Sequence, residues 1–360
     1  FMVATGFLSM WLSNTATALM MMPMGMSLIL LYEELNEKTI AEGGTVSERA
    51  PNFALTLLLG IAYSASIGGF ATLIGTPPNG VLITQMSQLF PEAPEITFSS
   101  WMLFALPMSA VFMVLAWLVL TRFVFPLPAT TPFSGKEFIQ GEIEKLGPMS
   151  AEEKRVGGVF GLAAILWMTR KERLFGAEVD VFGWSHYLDQ LLLSAGSNPV
   201  GYLIDDGTVS IAMALLLFIL PAGKAVGGRL LDWEDTKKVP WGILLLFGGG
   251  LALAKAFSTS GLSFYIASQL QSTLGDASPL AIVIGTSGVV TGLTEVMSNT
   301  ATISLAVPIM ASMAQAIGVN KARLEILSNA YITMATTQTT TQAFTPIKAS
   351  RINGFCPNCT

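Results

Sequence analysis

Long apolar stretches separated by short polar segments run along most of the chain. They predict a hairpin at 1–32, a broken helix at 53–90, spans at 101–125, 155–169, 207–221 and 240–258, and a second hairpin at 278–318. Stretches of this length and low charge are typical of helices that cross or enter a lipid bilayer. The pattern therefore predicts an all-α integral membrane protein that passes the bilayer several times.

The first apolar stretch is too long for one plain span. As a straight helix, residues 1–32 would extend about 48 Å, against about 30 Å for the hydrocarbon core of a bilayer. The polar segment Ser13-Asn14-Thr15 interrupts the stretch near its middle. A re-entrant hairpin of two half-helices, with its tip at the bilayer midplane, fits this length better than a single helix.

The interrupting segment occurs twice with matching surroundings. Each Ser-Asn-Thr has a hydroxyl residue four positions before its serine and a proline ten positions after it. The copies are Ser9, Ser13-Asn14-Thr15 and Pro23 in the first hairpin, and Thr294, Ser298-Asn299-Thr300 and Pro308 in the second. Clustered hydroxyls and amides are costly at membrane depth unless a polar ligand meets them. Two matched copies predict a transporter of two halves with one shared site, although such hydroxyls can also bond to carbonyls of their own helix.

Two adjacent prolines interrupt the helix predicted at 53–90. They lie in Gly75-Thr76-Pro77-Pro78-Asn79-Gly80, and a helix cannot continue through them. Unwound backbone at membrane depth is tolerated only where it lines an enclosed or wet cavity. A second glycine-rich segment, Gly248-Gly249-Gly250, lacks the Gly-Lys-Ser/Thr ending of a phosphate loop, so close helix packing or a bend is expected there.

Composition agrees with a membrane protein and argues against several other classes. The chain is 52% hydrophobic and 12% charged, with a mean hydropathy of +0.59, whereas soluble domains carry about 25% charged residues. A net charge of −5 without a basic cluster argues against a nucleic-acid partner. With one histidine, His186, and no nucleophile–base pair near a span, an enzyme is not expected. The lone pair Cys356 and Cys359 cannot close a zinc site.

The predicted organisation has two halves of opposite orientation. They are a first half at 1–125, a connection at 126–206, a second half at 207–323 and an atypical polar tail at 324–360. Lysine and arginine occur in the loops at 33–52, 122–155 and 222–238, which the positive-inside rule places in the cytoplasm. The resulting alternation predicts an inverted repeat, although the basic segment 170–173 then falls on the opposite side.

The motifs together resemble one family of transporters. The doubled Ser-Asn-Thr-Ala-Thr, the Ile-Gly-Thr-Pro-Pro-Asn after the first copy and the Val-Pro-Trp-Gly-Ile-Leu-Leu-Leu-Phe-Gly-Gly-Gly before the second resemble the divalent anion/sodium symporter family, over residues 1–323. Members of this family carry C4-dicarboxylates, citrate or sulfate. The resemblance implies an inverted-repeat, elevator-type homodimer with two re-entrant hairpins and discontinuous helices, in a bacterial inner membrane.

The same resemblance implies site residues and coupling ions. The implied substrate residues are Ser13, Asn14, Thr15, Ser298, Asn299, Thr300, Thr76 and Pro77. A first sodium site is implied at Ser9, Ser13, Asn14 and Gly75. A second is implied at Thr294, Asn299 and the backbone of Met297. No cofactor other than sodium ions is expected.

The chemistry of these residue types agrees with the implied roles. Carbonyl, amide and hydroxyl oxygens are the ligands that hard cations such as sodium prefer. The N-termini of half-helices carry partial positive charge and free N–H groups, which suit carboxylates. A bound sodium ion would also offset substrate charge at the midplane, which gives a direct reason for coupling.

Three readings of the transport reaction stay open at this point. The first is sodium-coupled uptake of succinate, malate, fumarate or citrate, and the second is dicarboxylate exchange or sodium/sulfate symport on the same fold. The third is a cation/proton antiporter, which needs an essential midplane carboxylate that neither hairpin tip contains. Glu295 lies beside the second tip, where it could orient the tip, face water or couple protons.

The two ends of the chain carry further expectations. The chain opens at Phe1 inside an apolar run, so the natural protein is expected to begin earlier. The family pattern predicts a second Thr-Pro-Pro-Asn after the second hairpin, and residues 324–360 do not contain one. This tail is expected to be a misjoined or frameshifted end, and the 360 residues alone are expected to be inactive while their full-length parent transports.

Overall fold

The structure of the chain is a computed structural model. It describes residues 1–89, 95–128, 140, 143–144, 147–171, 183–194, 204–223, 228–239, 241–262, 265, 268–269, 279–294, 296 and 299–316. Over these ranges the regular structure is helical, and the β-structure is limited to an isolated bridge between Pro221 and Arg229. The described part is thus an all-α fold.

Eleven helices are described, and several of them are apolar. They are α1 (Met2–Ser9), α2 (Asn14–Ala41), α3 (Ala50–Phe70), α4 (Pro77–Leu89), α5 (Phe98–Leu118), α6 (Ala151–Met168), α7 (Trp184–Ser194), α8 (Asp206–Ile219), α9 (Trp241–Thr259), α10 (Pro279–Thr294) and α11 (Asn299–Ala316). A π-helical turn, Val119–Val124, continues α5, and a 3₁₀ turn, Trp233–Lys238, precedes α9. Among the described residues, three helical segments are long and apolar enough to cross a membrane: Asn14–Ala41, Ala50–Phe70 and Phe98–Val124.

The chain divides into two compact units. The first comprises residues 1–95, 105–130 and 242–360, and the second comprises residues 96–104 and 131–241. These units cut across the predicted halves, because residues 207–221, assigned to the second half, lie in the second unit. A structural repeat and a compact unit divide a chain by different criteria, so the two units do not test the predicted halves. The halves therefore stay a prediction.

Small residues let the helices of the first unit approach closely. A Cβ atom on Gly68 of α3 would collide with the backbone of Gly6 of α1, so the two backbones touch directly. Leu59, Tyr63 and Ile67 of α3 form an apolar cluster with Leu120 of the π-helical turn. Elsewhere in this unit, α2 also packs on α3, α4 packs on α11, and α10 packs on α11. The first unit also contains the helices that flank the two Ser-Asn-Thr segments, together with the broken helix.

Helix α2 extends beyond the predicted hairpin. The sequence pattern ends the hairpin at residue 32 and places a polar connection at 33–52, whereas α2 continues to Ala41. Lys38 donates to Glu34 at 2.7 Å, one helical turn earlier. Such pairs support an exposed helix, which is why polar composition alone misplaces its end.

A buried ion pair organises the second unit. Arg170 is 2% exposed and its Nε donates to Asp206 Oδ1 at 2.7 Å, while its Nη1 donates to the Ile204 carbonyl at 2.9 Å. Trp167 Nε1 donates to the Asp206 carbonyl at 3.0 Å, so the end of α6 is fixed to the start of α8. Arg170 thus has a structural role that is independent of the loop charges used to assign orientation.

Asp205 begins helix α8 beside this pair. Its carboxylate accepts from the Thr208 N–H at 2.7 Å and from the Thr208 hydroxyl at 2.8 Å. These two bonds, the first above all, hold the pKa of Asp205 below its ordinary value. The carboxylate therefore stays ionised and caps the free N–H groups of the first turn.

The Asp206→Ala variant is expected to lose much stability, because it removes the carboxylate that accepts from the buried Arg170 guanidinium at 2.7 Å. Breaking a buried pair from one side typically costs about 3–5 kcal/mol. Thermal unfolding in detergent measures the loss. Lys237→Ala is the matched control, since its pair with Glu234 is exposed and such pairs contribute little. Equal unfolding temperatures for the two variants would contradict the assigned role of Arg170.

Candidate ion and substrate site

The tip of the first hairpin lies between α1 and α2. Helix α1 ends at Ser9, and α2 begins at Asn14 with Ser13 as its N-cap. Ser13 has extended backbone (φ −61°, ψ 147°), and its Oγ accepts from the Ala16 N–H at 3.3 Å. Serine is a preferred residue at this position because its oxygen satisfies a free N–H group. Ser13 and Thr15 are exposed at the tip, so both can meet a ligand.

Ser9 and Asn14 connect the two half-helices across the tip. Ser9 Oγ donates to Asn14 Oδ1 at 3.0 Å, and Ser9 is fully buried. The first half-helix therefore fixes the direction of the asparagine amide at the start of the second. Two residues that sequence reasoning assigned to one sodium site are brought into direct contact here.

Hydrogen bonds attach the break between α3 and α4 to this tip. The Thr72 hydroxyl donates to the Met10 carbonyl, and the Gly75 N–H donates to Thr72 Oγ1 at 3.1 Å. Asn79 Nδ2 donates to the Thr72 carbonyl at 2.8 Å and to the Gly69 carbonyl at 3.3 Å. Thr72 and Asn79 are both fully buried. The unwound segment is thus held in place by its own donors.

Backbone and side-chain oxygens converge where Gly69 approaches Gly75. A Cβ atom on Gly75 would lie 2.5 Å from the Gly69 carbonyl oxygen and 2.8 Å from the Ser9 carbonyl oxygen. A Cβ atom on Gly69 would collide with Asn14 Oδ1 and lie 3.2 Å from the Gly75 carbonyl oxygen. We call these four oxygens, of Ser9, Gly69, Asn14 and Gly75, the oxygen cluster. All four belong to uncharged carbonyl or amide groups, which is a donor set that suits sodium.

The other predicted residues of the broken helix lie at the start of α4. Pro77 is the first residue of α4, where a missing N–H group costs nothing. Thr76 directly precedes it and is half-buried. Helices α2 and α4 therefore both begin at residues that the sequence predicted to bind substrate. This agrees with an anionic substrate, because helix N-termini attract anions.

The second copy of the motif is described in part. Helix α10 ends at Thr294 and α11 begins at Asn299, followed by Thr300. Thr294 Oγ1 donates to the Thr291 carbonyl at 2.8 Å, a bond within its own helix, in contrast to the bond of Ser9 across the first tip. Of the residues that sequence reasoning placed in this region, Glu295, Met297 and Ser298 lie outside the described residues.

Sequence reasoning did not assign Thr72 to the site. A single threonine in an apolar stretch has no spacing that marks it, and its partner, the Met10 carbonyl, lies far away in the chain. Asn79 was visible inside the motif, but its two carbonyl partners follow only from the fold.

Helix α4, which starts at the broken-helix loop, packs along α11, which starts at the second Ser-Asn-Thr.

These features define a class: a helical membrane protein in which helix breaks bring neutral oxygen atoms together. A family model described as the sodium:sulfate symporter transmembrane region matches residues 1–348. The chain therefore belongs to this family, which confirms the resemblance to divalent anion/sodium symporters. The match ends inside the segment 324–360 that sequence reasoning set apart from the family.

Curated relatives from two bacteria support the same family. The chain is 39% identical over 321 residues to the sodium-dependent dicarboxylate transporter SdcS of Staphylococcus saprophyticus subsp. saprophyticus. It is 40% identical over 321 residues to the protein of the same name from Staphylococcus aureus. Each alignment covers 89% of this chain and 56% of the relative, so the chain spans about half the length of these relatives.

Membership of the family settles several coarse points. The chain is a multi-pass membrane protein, and its named relatives are bacterial. The relatives are transporters rather than enzymes. The family is one of sodium-coupled transporters, which agrees with sodium as the coupling ion.

Proposed function

We propose that this chain forms the ion- and substrate-binding part of a sodium-coupled transporter that takes up C4-dicarboxylates or citrate. The observation that carries the proposal is the oxygen cluster at the first hairpin tip. Its carbonyl and amide oxygens crowd the Cβ positions of Gly69 and Gly75, and neutral oxygens of this kind are the ligands that a dehydrated monovalent cation needs. Asn14 Oδ1 supplies the side-chain oxygen of the cluster, and Ser9 Oγ fixes its direction by donating a hydrogen bond to it.

A bound sodium ion would prepare the neighbouring surface for an anion. Ser13 and Thr15 are exposed beside the cluster, and the N-termini of α2 and α4 begin there. A positive ion at the cluster adds to the partial charges of both helix ends and favours a carboxylate. By linkage, the substrate then tightens sodium binding by the same factor, which is the basis of coupled transport.

The substrate class follows from the tip chemistry and the relatives. Hydroxyl, amide and backbone N–H groups donate hydrogen bonds to carboxylates and orient them without a buried arginine or lysine. The relatives are named as dicarboxylate transporters, which favours succinate, malate or fumarate. Sulfate is the second candidate, because the family description names it and it is also a dianion.

The remaining architecture is proposed with this function. Asn299, Thr300 and Ser298 would form the second half of the substrate site, and Thr294, Asn299 and the Met297 backbone a second sodium site. The two hairpins would be inverted repeats that move together in an elevator-type homodimer, in the bacterial cell membrane. Matched motif spacing supports the repeat, and the presence of both motif copies in one compact unit supports a shared site.

Uptake into proteoliposomes tests the proposal. The full-length protein is expected to accumulate radiolabelled succinate when an inward sodium gradient is present, and not with an equal potassium gradient. Unlabelled malate should compete, whereas sulfate should compete weakly. Accumulation that ignores sodium would replace symport with exchange, and accumulation of labelled sulfate in place of succinate would overturn the dicarboxylate assignment.

A further inference from the structure

Helix α4 presents a buried amide to helix α11. Gln85 lies on α4 and is 1% exposed, and its Nε2 donates to the Ser304 carbonyl of α11 at 3.3 Å. One helix starts at the broken-helix loop, and the other starts at the second Ser-Asn-Thr.

The Ser304 carbonyl lacks its ordinary helical donor. In an α-helix a carbonyl accepts from the N–H group four residues later, and that residue here is Pro308, which has none. A buried carbonyl without a donor is costly, so such groups are almost always satisfied. The Gln85 side chain, on α4, donates the hydrogen bond that Pro308 cannot donate. Only the NH₂ group of the amide can do this, because the amide oxygen is an acceptor like the carbonyl itself.

Two further contacts fix the position of Ser304. Its hydroxyl donates to the Thr300 carbonyl at 2.8 Å, one turn closer to the hairpin tip. On another side, a Cβ atom on Gly250 of α9 would lie 2.6 Å from the Ser304 Cβ atom, so α9 approaches without a side chain between them. A displacement of the Ser304 backbone would therefore be passed to Thr300.

The first hairpin has a proline at the same motif position, but among the described residues the carbonyl four residues before that proline is not held by a buried amide. Pro23 stands in the same position of the repeated motif, and the carbonyl that it leaves without a donor belongs to Leu19. The Leu19 side chain is 65% exposed, whereas Ser304 is 3% exposed. Pro23 thus provides a matched control for Pro308.

We propose that Gln85 is a positioning residue that couples the broken-helix loop to the second substrate tip. By holding the Ser304 carbonyl, it sets Asn299 and Thr300 relative to the segment Gly75-Thr76-Pro77. This role rests on the proposed sodium-coupled function. Binding of sodium at the oxygen cluster then shifts the position of the second tip. The shift is transmitted through α4, Gln85 and the first turns of α11.

A double-mutant cycle tests the hydrogen bond itself. In the full-length protein, Gln85→Leu is expected to raise the half-saturating concentrations of sodium and succinate by on the order of tenfold. Adding Pro308→Ala restores a backbone N–H group for the Ser304 carbonyl, so both values should return toward those of the wild type. Adding Pro23→Ala to Gln85→Leu should restore neither. Equal effects of Gln85→Leu with and without Pro308→Ala would overturn the proposal.

The Gln85→Glu variant tests the hydrogen bond through its pH dependence, which a role of Gln85 in packing alone would not produce. The Gln85→Glu carboxylate can only accept, whereas its protonated form can donate to the Ser304 carbonyl. Sodium-dependent succinate binding, relative to wild type at each pH, should therefore recover as the pH falls. Neither α4 nor α11 has an ionisable side chain, and α9 contributes only the exposed Lys255, so these three helices contain no carboxyl group of their own. A pH-independent ratio would overturn the proposal.

Measurements of sodium dependence on the wild-type protein distinguish a failure of this inference from a failure of the proposed function. If wild-type uptake needs sodium but the cycle is additive, the role of Gln85 is wrong and the function stands. If wild-type uptake and thermal stability both ignore sodium, the function is wrong, and the positioning role falls with it.

Discussion

Replacing Asn14 by alanine is expected to weaken sodium binding strongly, and with it sodium-driven uptake, while leaving the protein folded. The change removes Oδ1, which is both an oxygen of the cluster and the acceptor for the buried Ser9 hydroxyl at 3.0 Å. Loss of such a contact typically weakens binding by about 10- to 100-fold. A sodium titration of succinate uptake in proteoliposomes measures this, with sodium-dependent thermal stabilisation as a second reading.

Two further variants show whether the oxygen or the whole side chain matters. Asn14→Asp keeps the oxygen and adds a charge, so sodium should still bind while uptake of a dianion falls through repulsion. Asn52→Ala is the matched control, because its amide donates to the Pro126 carbonyl at 2.9 Å and belongs to no part of the cluster. An unchanged sodium titration for Asn14→Ala would show that the cluster is not the ion site.

Adding one methyl group at Gly69 is expected to be as harmful as removing the asparagine. The Gly69→Ala methyl would collide with Asn14 Oδ1 and approach the Gly75 carbonyl oxygen to 3.2 Å, so it would fill the ion position. The nearest atoms are those of the Asn14 amide, which Ser9 Oγ holds through a 3.0 Å hydrogen bond, so the methyl group would push Asn14 Oδ1 out of the oxygen cluster. Sodium-stimulated uptake should be lost even at saturating sodium.

The control for this substitution is Gly80, the last residue of the broken-helix motif. Gly80 has no heavy atom within 4 Å of an added Cβ, and it lies in helix α4, where alanine is favoured over glycine. Gly80→Ala should therefore transport like the wild type and unfold at an equal or higher temperature. Normal sodium dependence of Gly69→Ala would contradict an ion position between the two glycines.

Much of the fold class and part of the candidate site could be predicted from the sequence. The apolar length of residues 1–32 and the polar Ser13-Asn14-Thr15 within it indicated a break, and α1 and α2 are separate helices on either side. The adjacent prolines Pro77 and Pro78 indicated another break, and α4 begins at the first of them. Both predictions rest on strong local rules, namely bilayer thickness and the missing proline N–H group.

Interactions between distant segments could not be predicted in this way. Nothing in the local pattern marks Thr72 or Gln85, because each acts through the backbone carbonyl of a distant segment. The glycine run at 248–250 indicated close packing, but only the fold shows that Gly250 makes it, against Ser304, while Gly248 and Gly249 have open space. The second compact unit was equally hidden, since the Arg170–Asp206 pair joins segments with no shared motif.

The pinned loop between α3 and α4 has a consequence for ion selectivity. Thr72 and Asn79 use their donors on the surrounding backbone, and the Gly75 N–H is used as well, so mainly oxygen atoms remain to face an ion. Two glycines in direct contact leave these oxygens little freedom to move apart. A potassium ion has a larger radius and would need to spread the Gly69 and Gly75 backbones, at the expense of the bonds that hold the loop. At the proposed sodium site, this rigidity would favour sodium over potassium by size, with no charged side chain involved.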